Sequence, residues 1–307
     1  MQNGIADLIV SGAMFSLMFA MGLTLTADDF RRIARAPRPT IVGTILQLIA
    51  MPLIGITLAR IYELPPLLTA GLVVLAACPG GMFSNMFVHI ARGHTALSIT
   101  LTATATLVTL FTMPLWVRFS LAGASGANDA VQMPILETAL QLGALTILPI
   151  GLGMLTRSRR PSSVRWETWL SRIAFVVICL AVGIDGMDRP DPPTAEFRAS
   201  VAPVAWYTLA VLAMGILVPI SFGIRARDGV TIAVELVVKN TLLGIVLLTQ
   251  TLDFVAIVPI LIYMVIQTPA GVLLLVGWRI LARRGYVAAI PTLPTENVES
   301  PVLQRSP

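Results

Sequence analysis

Apolar stretches of about twenty residues or more alternate with short polar ones along this chain, at 5–25, 38–61, 67–91, 94–119, 131–155, 168–187, 201–223, 229–250 and 253–282. About twenty apolar residues in helical form match a hydrocarbon core about 30 Å thick. Lipid offers nothing to open backbone groups, so each stretch predicts a helix. The shorter, alternating segments of a membrane barrel are missing from the pattern. The expectation is an all-α polytopic membrane protein of about nine transmembrane helices. The first stretch reads as a span and not a signal peptide. Gln2, Asn3 and Asp7 stand where a basic n-region would, and no small-x-small cleavage site follows. A membrane domain over 1–284 is expected to end in a polar, proline-bearing cytoplasmic tail without fixed structure, 285–307.

Composition sharpens this picture. The chain is 56% hydrophobic and only 12% charged, about half the charge of a soluble domain. Its net charge of +5 does not argue for nucleic acid, because the basic residues sit between the spans. One side collects Arg31, Arg32, Arg35 and Arg38, then Arg92, then Arg157, Arg159, Arg160 and Arg165, then Arg225 and Arg227, and last Arg283 and Arg284. The other side has Arg60, Arg118, Arg189 and Arg198. The positive-inside bias then predicts an external N-terminus and a cytoplasmic C-terminus in a bacterial inner membrane. Cys78 and Cys179 lie inside apolar segments and form no metal-ligand or disulfide pattern.

Two spans differ from the rest. Span three is interrupted by Cys78-Pro79-Gly80-Gly81, where proline removes a backbone donor and glycine adds freedom, so a helix break is expected. Span eight carries Glu235, Lys239 and Asn240 at depth. These two spans lie five apart and so cross in opposite senses. That spacing fits an inverted repeat of three-helix units, spans two to four against seven to nine. Such repeats place a substrate site where two interrupted helices meet at the midplane.

The residues at these positions carry the chemistry. Glu235 and Lys239, the only lysine in the chain, would each cost about 2.5–3.5 kcal/mol if unpaired at the bilayer centre. Their i,i+4 order with Glu first predicts a pair on one helix face. A purely structural ion pair is the plainer alternative, although buried pairs seldom stabilise more than an apolar replacement. Ser84 and Asn85 just after the break, with Ser98 and Thr102 on one face of span four, add hydroxyl and amide oxygens. Together with Glu235 they form a hard, oxygen-only set suited to an alkali cation. Each Ser or Thr has the alternative role of a small packing residue. Gly80 and Gly81 would open a half-helix whose positive end suits an anion, and Asn240 would face it with an amide. Gln47 is a further deep polar residue in span two. His89 and His94 read as interfacial residues without a role. Asp28-Asp29 opens a helix and is no metal motif, since Phe30, Arg31 and Arg32 follow. No nucleophile elbow, P-loop, GxGxxG or HExxH occurs in the sequence, which argues against an enzyme.

The stretches FSLMFAMGLTLTADDFRR, LQLIAMPLIG and ACPGGMFSNMFVHIARGHTALSITLTATATL resemble the bile acid:sodium symporter family, closely over spans one to four and more loosely over seven to nine. The resemblance implies a core domain with two crossed, discontinuous helices (spans at 38–119 and 201–282). It also implies a panel domain (5–25, 131–155 and 168–187) that moves against the core. Relatives often have ten spans, and this chain starts at what looks like their second. By position, Ser84, Asn85, Ser98, Thr102 and Glu235 match the family's first sodium site. Its second site would comprise Gln47, Glu235 and a glutamine where this chain has Lys239. Lysine has only donors and cannot ligate sodium. A second departure is Met82 where relatives often have Thr, which puts a hydroxylated substrate in doubt.

The expected function is secondary transport of a small organic anion. Substrate would lie at Gly80, Gly81, Met82, Asn85 and Asn240, coupled to sodium at one site with Lys239 replacing the other ion. No organic cofactor is expected, the lipid bilayer is the partner, and the protein is a monomer or weak homo-oligomer. Proton-coupled or sodium-independent carriage, efflux of the related arsenite or auxin type, and a ligand receptor without flux are the alternatives.

Overall fold

The structure is a computed structural model that describes residues 4–26, 37–121, 135–187 and 193–283. The expected helix start at Asp28-Asp29, the tail 285–307, and the beginning of the stretch at 131–155 lie outside these residues. Among the described residues the protein is all-helical, with no named strand. The helices are α1 Gly4–Thr24, α2 Pro37–Ile45, α3 Met51–Ile61, α4 Pro66–Ala77, α5 Met82–Ile90 and α6 Thr95–Leu121. They continue as α7 Ile135–Arg159, α8 Trp166–Met187, α9 Thr194–Ser221, α10 Ala226–Val237, α11 Thr241–Thr251 and α12 Val258–Arg283.

A π-helical segment, Leu46–Ala50, joins α2 to α3 in one rod over Arg38–Ile61. That rod, Thr194–Ser221 and Phe254–Leu281 are each long and apolar enough to cross a membrane. Helix α6 bends by 61° between Thr109 and Phe111 and makes a fourth if counted as one span. Pro114 accounts for the bend, since its ring opposes the carbonyl four residues earlier. These helices agree with a membrane protein. The sequence-based number of about nine adds segments that the structure divides or leaves partly undescribed.

α1 packs chiefly on α7 and α8, whereas α9 packs on α10 and α12, and α4 on α3 and α6. Gly22 and Gly153 explain how closely α1 and α7 approach. A Cβ on Gly153 would strike Phe19 O and lie 2.8 Å from the Gly22 Cα, the small-residue solution to helix contact in lipid.

Two chain interruptions face each other within this framework. α4 ends at Ala77, where Cys78 turns to φ −57° and ψ 136°, and α5 resumes at Met82. α10 ends at Val237, where Val238 adopts φ −93° and ψ 87°, and α11 resumes at Thr241. Gly81 N donates to Val238 O at 3.0 Å and Asn240 N to Pro79 O at 2.9 Å. The two breaks thus form one antiparallel bridge between Gly80 and Lys239. Each satisfies backbone groups that the other frees, as an interruption at membrane depth requires.

α12 holds the second break from outside. The buried Tyr263 hydroxyl donates to Val237 O at 2.6 Å, and its ring meets Tyr207 edge-on at 5.8 Å. Tyr263→Phe is expected to leave that carbonyl unsatisfied and to cost about 1–2 kcal/mol. Thermal unfolding of the detergent-solubilised variant checks this, and an unchanged midpoint would refute it.

Candidate functional site

Glu235 is the last polar residue of α10 before the break and is 1% exposed. Its Oε1 lies 2.7 Å from Ser84 Oγ and also in contact with Ser98 Oγ, and its Oε2 accepts from Thr102 Oγ1 at 2.7 Å. Ser84 comes from the first turn of α5, and Ser98 and Thr102 from successive turns of α6. The packing that brings α10 between those helices therefore assembles the cluster.

Short oxygen–oxygen contacts outnumber the hydroxyl protons here. Ser84 Oγ also lies 2.5 Å from Gly81 O, and Ser98 Oγ lies 2.7 Å from Asn85 Oδ1. A hydroxyl carries a single proton. Two serine protons therefore serve four short oxygen–oxygen contacts, two to the Glu235 Oε1, one to the Asn85 amide oxygen and one to the Gly81 carbonyl, which already accepts from Ser84 N at 3.0 Å. Converging oxygens short of protons suit a hard cation. Among the described residues no group of three or more His, Cys, Asp or Glu is placed to hold a metal ion, and the donors gathered here are oxygens, the set that a hard cation prefers.

Gly80 makes room for the carboxylate. A Cβ there would strike Glu235 Oε2 and lie 3.3 Å from Thr102 Oγ1. The glycine is needed because another helix's charged group occupies the space of a side chain.

Lys239 is placed otherwise than its spacing predicts. Because α10 ends at Val237, the i,i+4 geometry is lost, and among the described residues no ion pair joins Lys239 to Glu235. The ammonium donates instead to Ala76 O at 3.0 Å and Cys78 O at 2.9 Å. These carbonyls are freed where α4 stops, at the negative end of its dipole, a natural seat for a cation. Gln47 is also buried, at 1% exposure, but neither of its amide atoms has a hydrogen-bond partner. No hydrogen bond links Gln47 to Glu235 or Lys239.

Beside the crossing, between α1, α8 and α12, lies a cavity of about 480 Å³. Met18, Met21, Phe87 and Met264 give it an apolar lining, while Asn240 and Gln267 supply amides. Of the expected substrate residues, Gly81 and Asn240 line it. Gly80 faces Glu235, and the Asn85 amide oxygen accepts from Ser98 Oγ beside the same carboxylate. The Met82 side chain lies outside the description. The first turns of α5 and α11 both begin at this wall, so two positive helix ends converge there. Gln267 was not visible as a site residue in the sequence. It accepts from Lys239 N at 3.2 Å and donates to Thr241 Oγ1 at 3.4 Å, which braces both sides of the second break.

Residues 12–185 match the model of the Sodium Bile acid symporter family. The chain belongs to this family. Over 268 residues it is 29% identical to the rice (Oryza sativa subsp. japonica) protein named "Probable sodium/metabolite cotransporter BASS1, chloroplastic", covering 86% of this chain and 64% of that relative. Over 101 residues it is 42% identical to the "Uncharacterized sodium-dependent transporter YocS" of Bacillus subtilis (strain 168), covering 33% of this chain and 32% of that protein. The human "Sodium/bile acid cotransporter 4" is 28% identical over 211 residues, 67% of this chain and 46% of that one. The chain thus spans less than two thirds of these relatives' lengths. The relatives of this family are named as transporters and not as enzymes.

Gly80→Ala is expected to displace the Glu235 carboxylate and reduce uptake in proteoliposomes by about tenfold or more. Normal recovery of the variant with near wild-type uptake would show that the cradle is not required.

Proposed function

We propose that this protein is a secondary active transporter of a small organic anion in the bacterial inner membrane. It works by alternating access and is coupled to one sodium ion held by Ser84, Asn85, Ser98, Thr102 and Glu235. The observation that carries this reading is the shortage of protons among the oxygens around Glu235. A cation bound there would let every hydroxyl keep a single acceptor. The relatives named as sodium-dependent carriers support the same choice.

Lys239 takes the place of a second sodium in this reading. Its ammonium already occupies two of the carbonyls that an ion at the end of α4 would use. A fixed charge moves no charge across the membrane with each cycle. One fewer transported cation lowers the driving force by about 2.3 kcal/mol per 100 mV, nearly fiftyfold in accumulation.

The anion binds in the cavity beside the crossing. The ends of α5 and α11 and the Asn240 amide hold its charge, and the Met and Phe side chains hold its apolar part. α2 to α6 and α9 to α12 form the core as inverted repeats, and α1, α7 and α8 form the panel that moves across the cavity. The N-terminus is external and the C-terminus cytoplasmic, as the arginine distribution favours.

Reconstituted protein is expected to take up a small carboxylate down a sodium gradient, with a sodium dependence of first order. Lys239→Gln is expected to steepen that dependence toward two ions by vacating the Ala76 and Cys78 carbonyls. An unchanged sodium number in the variant would remove the lysine's role, and sodium-independent uptake by the wild type would remove the coupling.

A further inference from the structure

Glu235 belongs to a longer polar contact that neither the cation site nor the substrate cavity accounts for. On α10, Asp228, Thr231 and Glu235 fall at i, i+3 and i+7, which brings them to one face of the helix. Opposite, His94 immediately precedes α6, and Ser98 and Thr102 follow at i+4 and i+8. The two faces meet rung by rung. His94 Nδ1 lies 2.9 Å from Asp228 Oδ1, and His94 N donates to Thr231 Oγ1 at 2.8 Å. Ser98 and Thr102 then reach the Glu235 carboxylate.

The outer rung is open and the inner ones are buried. The His94 side chain is 42% exposed and that of Asp228 15%, whereas Thr231 and Ser98 are fully buried. Gly93 permits the close approach, since a Cβ there would come within 2.8 Å of Thr231 Oγ1. The Arg227 Nε donates to Gly93 O at 3.2 Å and ties the same loop to the start of α10. As an acceptor-only group, the Asp228 carboxylate fixes a proton on His94 Nδ1.

We propose that His94 and Asp228 are positioning residues that set the register of α10 against α6 and so aim the Glu235 carboxylate at Ser98 and Thr102. They touch neither ion nor anion. Their contact fixes the rise and rotation of a two-turn helical segment whose far end carries the ligand. At the break the segment is held by Gly81 N and the Tyr263 hydroxyl, which bond the Val238 and Val237 carbonyls, and the His94–Asp228 contact holds it at the opposite end.

This inference rests on the sodium reading above, and the experiment separates the two. Uptake of a small carboxylate by reconstituted full-length protein is measured against sodium concentration for the wild type, His94→Ala, Asp228→Ala, the double variant and His94→Asn. Each alanine variant is expected to raise the half-maximal sodium concentration roughly fivefold, with little change in maximal rate. The double variant is expected to be no worse than the worse single one. His94→Asn, whose amide nitrogen can take the place of Nδ1, is expected to keep the wild-type value. Unchanged sodium affinity, a loss of maximal rate alone, additive effects, or failure of His94→Asn to rescue each overturn the positioning role. A wild type indifferent to sodium overturns the coupling reading and this one with it. Should the alanine variants not fold, Thr231→Val, which removes the acceptor of the His94 amide, is expected to raise the half-maximal concentration in the same way, and an unchanged value refutes the role.

Discussion

The two hydrogen bonds between the broken segments are the constraint on which the site depends. A helix interrupted in an apolar slab exposes carbonyls and amides that lipid cannot satisfy. Here Gly81 N with Val238 O, and Asn240 N with Pro79 O, let each interruption satisfy the other. Neither break is stable alone. Once paired, they fix where α4 and α10 end and where α5 and α11 begin, and therefore where helix-end charges and uncapped groups lie.

Charge is sorted around that crossing. The carboxylate of Glu235 is enclosed by hydroxyls from α5 and α6, and the ammonium of Lys239 by carbonyls at the end of α4. Each ionised group has partners of its own from the protein, so neither depends on the other for solvation. A buried charge with several oriented dipoles avoids most of the desolvation cost that an unaccompanied one would incur. In the proposed transport cycle this separation would let the Glu235 oxygens exchange a cation without stranding the ammonium.

Much of this was legible in the sequence, because the informative residues act locally. Pro79, Gly80 and Gly81 break a helix wherever they stand, so the first interruption could be read directly. Ser84, Asn85, Ser98, Thr102 and Glu235 were recognisable as polar residues at apolar depth, and the structure brings them together. The second interruption was not visible in its own residues. Val238-Lys239-Asn240 contains no breaker, and its backbone turns because the partner segment, far away in the chain, offers a better bond. The i,i+4 pairing of Glu235 with Lys239 fails for the same reason. The bracing by Gln267 and the contact of His94 with Asp228 also join residues distant in sequence, which no periodicity encodes. Gln47 is a deep polar residue in both the sequence and the structure, where its buried amide has no hydrogen-bond partner.

The isolation of Lys239 has a practical side. It is the only lysine in the chain and is 3% exposed, at the junction of the two broken helices. Apart from the amino terminus, an acylating reagent therefore finds a single primary amine. Modification of that amine would report how often the crossing admits a small reactive molecule, with no background from surface lysines to subtract.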